Sequence, residues 1–246
     1  MSPSTSNAGS AEHRPDDAHK IYPKQFDRDD FWSQIKRTVN GKPVSEEDIS
    51  MIVTQCADHL QLGAQDHLLD LGCGNAALAS RTFDRIAGYT GVDFSSYLLE
   101  IANEYFKPDA SVNYVENDAA GFVMNCPDPE AYHKLLCYGC MSYLSRGELL
   151  SLIETLHGRF PNLERAFFGN VPNTSKAPEF FAKRDVKDYD LDDPKSPIGV
   201  WWDPEELAGA ASACGFTATV VHMPEQFYGA PYRFDLLLTR GGDDRA

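Results

Sequence analysis

The chain has 246 residues, enough to bury a full α/β core within one domain. Its 37 Asp and Glu outnumber 22 Lys and Arg, and the formal charge of −15 argues against a broad nucleic-acid footprint, which needs a basic surface. No apolar run approaches the roughly 20 residues that span a bilayer, and Met1-Ser2-Pro3-Ser4-Thr5 carries no apolar signal core, so a cytoplasmic protein without a membrane role is expected.

Residues 1–20 are rich in Ser, Pro, Asp and Ala with almost no large apolar side chains, and are expected to be a disordered tail. One domain is expected over 21–246. Its first part, 21–62, predicts two helices: one from Asp30 to Val39, stopped by Asn40-Gly41-Lys42-Pro43, and one capped by Ser45 that runs to about residue 61. Strand patterns then fall near 67–71, 88–93, 112–117, 134–138, 164–169, 216–222 and 233–239. Helical patterns lie between them near 75–86, 96–106, 146–158 and 204–213, with a poorly defined link at 119–132. Asp203-Pro204-Glu205-Glu206 is a strong helix start, with an N-cap acid, proline at the first position and a capping-box glutamate. The alternation predicts an α/β fold, a seven-stranded and mostly parallel sheet covered on both faces. The last two strands are joined by 225–231, which has no helical pattern, so the terminal strand should be antiparallel. Residues 171–203 hold Pro172, Pro178, Pro194 and Pro197 among Phe180, Phe181, Trp201 and Trp202, and read as an inserted cap over a substrate.

The most informative stretch is His67-Leu68-Leu69-Asp70-Leu71-Gly72-Cys73-Gly74-Asn75-Ala76-Ala77-Leu78, answered by Gly91-Val92-Asp93-Phe94. Glycines let the backbone turn sharply and approach a ligand beside a helix start. Gly72-x-Gly74-x-x-Ala77 also fits the loose dinucleotide fingerprint, but that fingerprint keeps the position two before its first glycine apolar, and here Asp70 stands there. Strand, acid, paired glycines and a second acid together resemble the S-adenosylmethionine site of class I methyltransferases, whose Rossmann-like sheet has the predicted antiparallel terminal strand. The departure is Ala76, where the family pattern commonly has a third glycine.

The resemblance implies S-adenosylmethionine as cofactor and S-adenosylhomocysteine as product. It implies that Asp70 meets the cofactor's α-amine and that Asp93, followed by Phe94, holds the ribose hydroxyls. The loop Gly72, Cys73 and Gly74 approaches the ligand, and Asp118 with Ala119 lies against the adenine. In many such enzymes an N-terminal helix closes over the cofactor and a basic residue, here Arg37, could meet the cofactor carboxylate. Asp118 has the alternative reading of a solvated loop acid or helix cap, and Arg37 reads equally as a solvated helix charge.

The loop after the fourth strand, Gly139-Cys140-Met141-Ser142-Tyr143, should pass under the methyl group. It lacks both the Asn- or Asp-Pro-Pro-Tyr motif of many amide and adenine methyltransferases and a Pro-Cys pair for cytosine attack. Tyr138 and Tyr143 are candidates to line the methyl path, or to be core. Methyl transfer from a sulfonium is an in-line displacement helped mainly by alignment, and a base is needed only for a protonated acceptor. His222 is the histidine expected on the correct sheet edge, with His133 and His157 near the opposite edge and His13 and His19 in the tail. Asn170 could orient an acceptor, Trp201, Trp202 and Phe180 could stack on a ring, and Arg184 could receive a phosphate.

The six cysteines form no dense framework and are expected as free thiols. Cys137-Tyr138-Gly139-Cys140 has no second pair to close a zinc site, so no metal is expected. Residues 30–45, Ile198-Gly199-Val200-Trp201-Trp202 and Tyr232-Arg233-Phe234-Asp235 are similar to bacterial class I methyltransferases of surface-polysaccharide or secondary-metabolite pathways. The function expected is therefore methyl transfer to a small-molecule acceptor, foremost at oxygen of a sugar or natural-product intermediate, by a monomer or homodimer. N-methylation of a small amine, an NAD-dependent oxidoreductase and a non-catalytic cofactor-binding protein remain the alternatives.

Overall fold

The computed structural model describes residues 19–39 and 41–241. The expected tail, with His13, lies outside them as far as residue 18, whereas His19 and Lys20 are described and lead into a 3-10 turn at Tyr22–Gln25.

Helix α1 is Phe31–Gln34, capped by the Asp30 carboxylate on the Ser33 N–H. The helix expected to reach Val39 ends there. Lys36 takes a positive φ of 56°, and Thr38–Val39 (β1) pairs antiparallel with Lys42–Pro43 (β2) across Gly41 at φ 75°. A β-branched pair before a glycine turn prefers a hairpin to another helical turn. Helix α2, Glu46–Leu60, follows with Ser45 as N-cap, as expected.

The main sheet contains β3 (His67–Leu71), β4 (Gly88–Asp93), β5 (Val112–Glu116), β6 (Lys134–Tyr138), β7 (Arg165–Pro172), β8 (Phe216–Val221) and β9 (Arg233–Arg240). They lie in the order β5-β4-β3-β6-β7-β9-β8. All pairs are parallel except those of β9, which runs antiparallel to both neighbours. Period-two side-chain alternation sends successive strand residues to opposite faces. Leu69, Leu71, Leu135, Cys137, Phe168, Leu236 and Leu238 enter one core, together with Leu149, Leu152 and Ile153 of α5 (Arg146–Arg159). Leu68, Leu136, Tyr138, Phe167 and Leu237 enter the other, beneath Ile49, Ile52 and Leu60 of α2. Burial on both faces explains why these strands are continuous apolar runs. The order reverses between β3 and β6, and ligands of open α/β sheets bind at such a switch point, outside the carboxyl ends of the strands.

Helices α3 (Ser96–Tyr105), α4 (Ala119–Asn125) and α7 (Pro204–Ala213) connect the strands. The helix expected at 75–86 is a loop followed by a 3-10 helix at Ala79–Arg85, because the chain leaves the glycine turn with Ala76 in the left-handed region.

The expected cap begins inside β7 and carries one short helix, α6 (Ala177–Ala182). Phe180 and Trp201 form a small core of their own with Ala177, while Trp202 sits in the main core beneath the Arg146 guanidinium, 4.2 Å from its ring. Trp201 and Trp202 are 0% and 1% exposed, which corrects the expectation that they stack on an acceptor. An indole surrounded by protein has no free face. Phe180 is likewise buried, and Arg184 lies over its ring at 3.7 Å while its Nη1 donates to the Phe180 carbonyl, so Arg184 closes the cap's own core.

The cap is tied to the loop after β6 where the Val200 N–H donates to the Ser142 carbonyl. At Gly199, with φ 80°, a Cβ would stand 2.2 Å from that same carbonyl oxygen. Gly199→Ala is expected to lower stability by about 2–4 kcal/mol, read by urea denaturation, because left-handed strain adds to a backbone clash.

Candidate active site at the switch point

β3 delivers Asp70 to the turn, where Gly72 and Gly74 take φ of 74° and 58°. Ala76 takes φ 62°, so the alanine standing for the third glycine accepts a left-handed conformation that costs an L-residue about 1–2 kcal/mol. The Gly72 and Cys73 N–H groups both donate to the Val92 carbonyl and bind the turn to the end of β4. Asp93, the last residue of β4, accepts from the Gly74 N–H at one oxygen and from the Ser95 N–H at the other, each at 2.9 Å. Burial raises its carboxyl above the usual range, and these donors oppose the shift.

Asp70 is 5% exposed and accepts a 2.8 Å hydrogen bond from the Tyr89 hydroxyl. Burial pushes its carboxyl up to about 7 despite that bond. Among the described residues, no cationic side chain comes within ion-pair distance of it. A buried carboxylate without a cation is costly, and a bound cation relieves the cost.

The N-terminal segment lies across this turn. Asn75 donates to the Phe31 carbonyl and to Gln34 Oε1, both at 2.8 Å. A Cβ on Gly74 would meet Ile35 at 2.8 Å, and one on Gly72 would meet Cys140 Sγ at 2.6 Å. His19 packs on Tyr143 with ring centroids 4.6 Å apart and on Phe94 at 6.4 Å, and the half-buried Phe94 carries the Lys20 ammonium at 5.5 Å. Asp118 is exposed and caps α4 through the Gly121 N–H, with Ala119 as the first helical residue.

A second group of polar side chains gathers where β6, β7 and β9 meet. Arg37 leaves the N-terminal segment, is 8% exposed, lies 4.6 Å over the Tyr138 ring and donates from Nη2 to the Tyr138 carbonyl at 3.1 Å. Asn170 occupies a bulge of β7 between Phe168 and Val171 with φ 66°. Bulges re-aim the backbone, and Asn tolerates this conformation better than most residues. Its N–H donates to Asp235 Oδ1 and its carbonyl accepts from Arg233 Nη1, both at 2.7 Å. Asp235 is 1% exposed, and burial pushes its carboxyl up to about 6. Four buried atoms here have no hydrogen-bond partner: Arg37 Nε, Tyr138 Oη, Arg233 Nε and Asp235 Oδ2.

Tyr138 and Asn170 thus both lie where β6, β7 and β9 meet, whereas the Tyr143 hydroxyl donates to the Pro197 carbonyl of the inserted segment at 3.2 Å. The His222 side chain is exposed beyond β8, the outermost strand, and its backbone carbonyl accepts from Gln55. The expectation of a base at His222 is corrected on this ground, since an exposed edge imidazole is not held in the polar cluster. His133 instead accepts the His67 N–H at the opposite edge. Arg233 and Asp235 stand in the sequence only within a stretch of family resemblance, with no site role assigned to them. Their signal is two charges spaced by two at the start of a strand whose centre, Leu236 to Leu238, is apolar, which places both on one face of β9.

All six cysteines are free, and the Cys137 and Cys140 sulfurs lie 3.1 Å apart. No cluster of three metal-ligating side chains occurs among the described residues, and no helix there is long and apolar enough to cross a membrane.

Residues 68–159, from β3 through α5, match the family model of a methyltransferase domain. No curated protein matches the sequence. Solved structures share the fold. The magnesium protoporphyrin IX methyltransferase of Synechocystis PCC 6803, with bound S-adenosylmethionine, aligns with a TM-score of 0.60 at 14% identity over 95% of this chain and 100% of its own. The N-methyltransferase NodS of Bradyrhizobium japonicum WM9, in complex with S-adenosylhomocysteine, aligns with a TM-score of 0.62 at 12% identity over 92% and 100%. An S-adenosylmethionine-dependent methyltransferase from Clostridium acetobutylicum ATCC 824 gives 0.58 at 15% identity over 81% and 93%. The match to a methyltransferase domain begins at the very strand that carries Asp70, and the sheet around it has the fold of these S-adenosylmethionine-dependent methyltransferases.

Proposed function

We propose that the protein methylates an oxygen of a small-molecule acceptor, a sugar or natural-product intermediate, and that the turn after β3 holds the methyl donor. Asp70 takes the donor's α-ammonium, Asp93 its ribose hydroxyls, Gly72 and Gly74 admit its close approach, and Arg37 takes its carboxylate. Asp118 and Ala119 flank the adenine together with Phe94. The observation that carries this assignment is Asp70: a nearly inaccessible carboxylate, raised to about 7 by burial, with no cation of its own. The donor supplies an electrophilic methyl group, and these residues supply alignment and exclusion of water.

Transfer to oxygen is favoured by the buried acceptor-side cluster, in which Tyr138 Oη and Asp235 Oδ2 have no protein partners. A hydroxyl both donates and accepts, and so satisfies such a site. The net charge of −15 favours a small molecule over nucleic acid.

The test is a panel of sugars, phenols, hydroxy acids and small amines incubated with methyl-labelled S-adenosylmethionine, followed by product mass spectrometry. Label recovered as methyl ethers or esters is expected. Label recovered only on the amines would transfer the assignment to N-methylation.

A further inference from the structure

Six buried side-chain polar atoms among the described residues have no hydrogen-bond partner. Two are the indole nitrogens of Trp201 and Trp202, and the other four stand together at the ends of β6 and β9. Buried polar groups are nearly always satisfied, so a concentration of unsatisfied ones calls for an explanation. They are not loosely held. Asp235 and Arg233 clasp the same residue, one carboxylate oxygen taking the Asn170 N–H and one guanidinium nitrogen giving to the Asn170 carbonyl. Each is thereby fixed, with the Gln55 amide near Asp235 and the Tyr232 hydroxyl near Arg233, while Asp235 Oδ2 and Arg233 Nε make no hydrogen bond.

The character of these atoms defines what complements them. Three can donate: Arg37 Nε, Arg233 Nε and Tyr138 Oη. One, Asp235 Oδ2, can only accept while ionised. Neither Arg37 nor Arg233 has a carboxylate within ion-pair distance among the described residues. Buried guanidinium groups are ordinarily paired, and their planar donors suit a carboxylate. In the reading above, which this inference rests on, Arg37 serves the methyl donor. Arg233 and Tyr138 then remain for the acceptor.

We infer that Arg233 and Asp235 form the acceptor subsite and that the acceptor is a hydroxy acid, its carboxylate held by Arg233 Nε and its hydroxyl by Asp235 Oδ2. Asp235 is the catalytic base. The acceptor oxygen forms its bond to the methyl carbon as the carbon–sulfur bond breaks and that electron pair returns to sulfur. The hydroxyl proton passes to Asp235 Oδ2 and afterwards to water. With its carboxyl raised to about 6, Asp235 is ionised at neutral pH and more basic than an exposed aspartate, as a general base should be. The Arg233 cation steadies the negative charge that develops as the proton leaves.

The test titrates full-length protein saturated with S-adenosylhomocysteine with four fragments: acetate, glycolate, glycerol and glycerate. Glycolate is expected to bind at least tenfold tighter than acetate, and glycerate at least tenfold tighter than glycerol. Arg233→Gln should erase the advantage of glycerate over glycerol, and Asp235→Asn that of glycolate over acetate, while each leaves S-adenosylhomocysteine affinity within a factor of two or three. Equal binding of glycerate and glycerol, absence of any fragment binding, or hydroxy-acid binding that survives both variants would overturn the subsite. Where a variant loses S-adenosylhomocysteine as well, Arg233→Lys or Asp235→Glu replaces it. Failure of the wild-type protein to take up S-adenosylhomocysteine counts against the donor site instead, so the two readings fail separately.

Discussion

Asp70→Asn is expected to make the free protein more stable at pH 8 and to lose S-adenosylhomocysteine affinity by a hundredfold or more. Asn keeps an oxygen for the Tyr89 hydroxyl and removes a charge that burial disfavours. The carboxyl has a folded value of about 7 against an ordinary 3.8. The folded state therefore binds the extra proton between those values, and stability falls as pH rises through that window. At roughly 1.4 kcal/mol per unit the full effect is about 4 kcal/mol, and relaxation around the site reduces it toward about 2 kcal/mol. Urea denaturation at pH 4 and pH 8 reads it: the variant should match the wild type at the lower pH and exceed it at the higher. The same ionisation governs binding. Wild-type affinity for S-adenosylhomocysteine should be about tenfold weaker at pH 6 than at pH 8, because an ammonium is held only by the ionised carboxylate. A variant less stable at pH 8, or wild-type affinity flat across that range, would contradict this account of Asp70.

Trp202→Ala is expected to lower stability by about 3–5 kcal/mol, on the order of 10 °C in melting temperature for a chain of this size. The ring lies in the main core, backed by the Arg146 guanidinium, and its backbone joins the end of β7 through the N–H donated to the Pro172 carbonyl. An acceptor platform would behave differently, leaving the melting temperature unchanged and raising KM. Calorimetric melting separates the two outcomes.

The sheet was legible because its strands are buried on both faces and read as bounded apolar runs. The ends of β3, β4, β6 and β9 fall within a residue of expectation. The turn after β3 was legible for a related reason, since its glycines and both acids are compressed into one turn and two strand ends. What escaped depends on contacts distant in sequence. Thr38–Val39 left the helical pattern for a hairpin that the local apolar spacing did not reveal. Trp201, Trp202 and Phe180 read as ligand platforms because their insertion is rich in proline, yet Phe180 and Trp201 build the insertion's own core and Trp202 anchors it in the main core. Asp235 and Arg233 become a site only when the bulge at Asn170 brings β7 against β9 across more than sixty residues. His222 lies at the expected end of its strand, but strand order carries that end to the sheet margin.

The proposed donor site turns on Asp70, the residue assigned there to tell a sulfonium amino acid from a dinucleotide. Calorimetric titration of the wild-type protein at pH 8 with S-adenosylhomocysteine, and separately with NAD, tests that distinction directly. The account predicts saturable one-to-one binding of S-adenosylhomocysteine and no heat from NAD. Saturable NAD binding with no response to S-adenosylhomocysteine would contradict it.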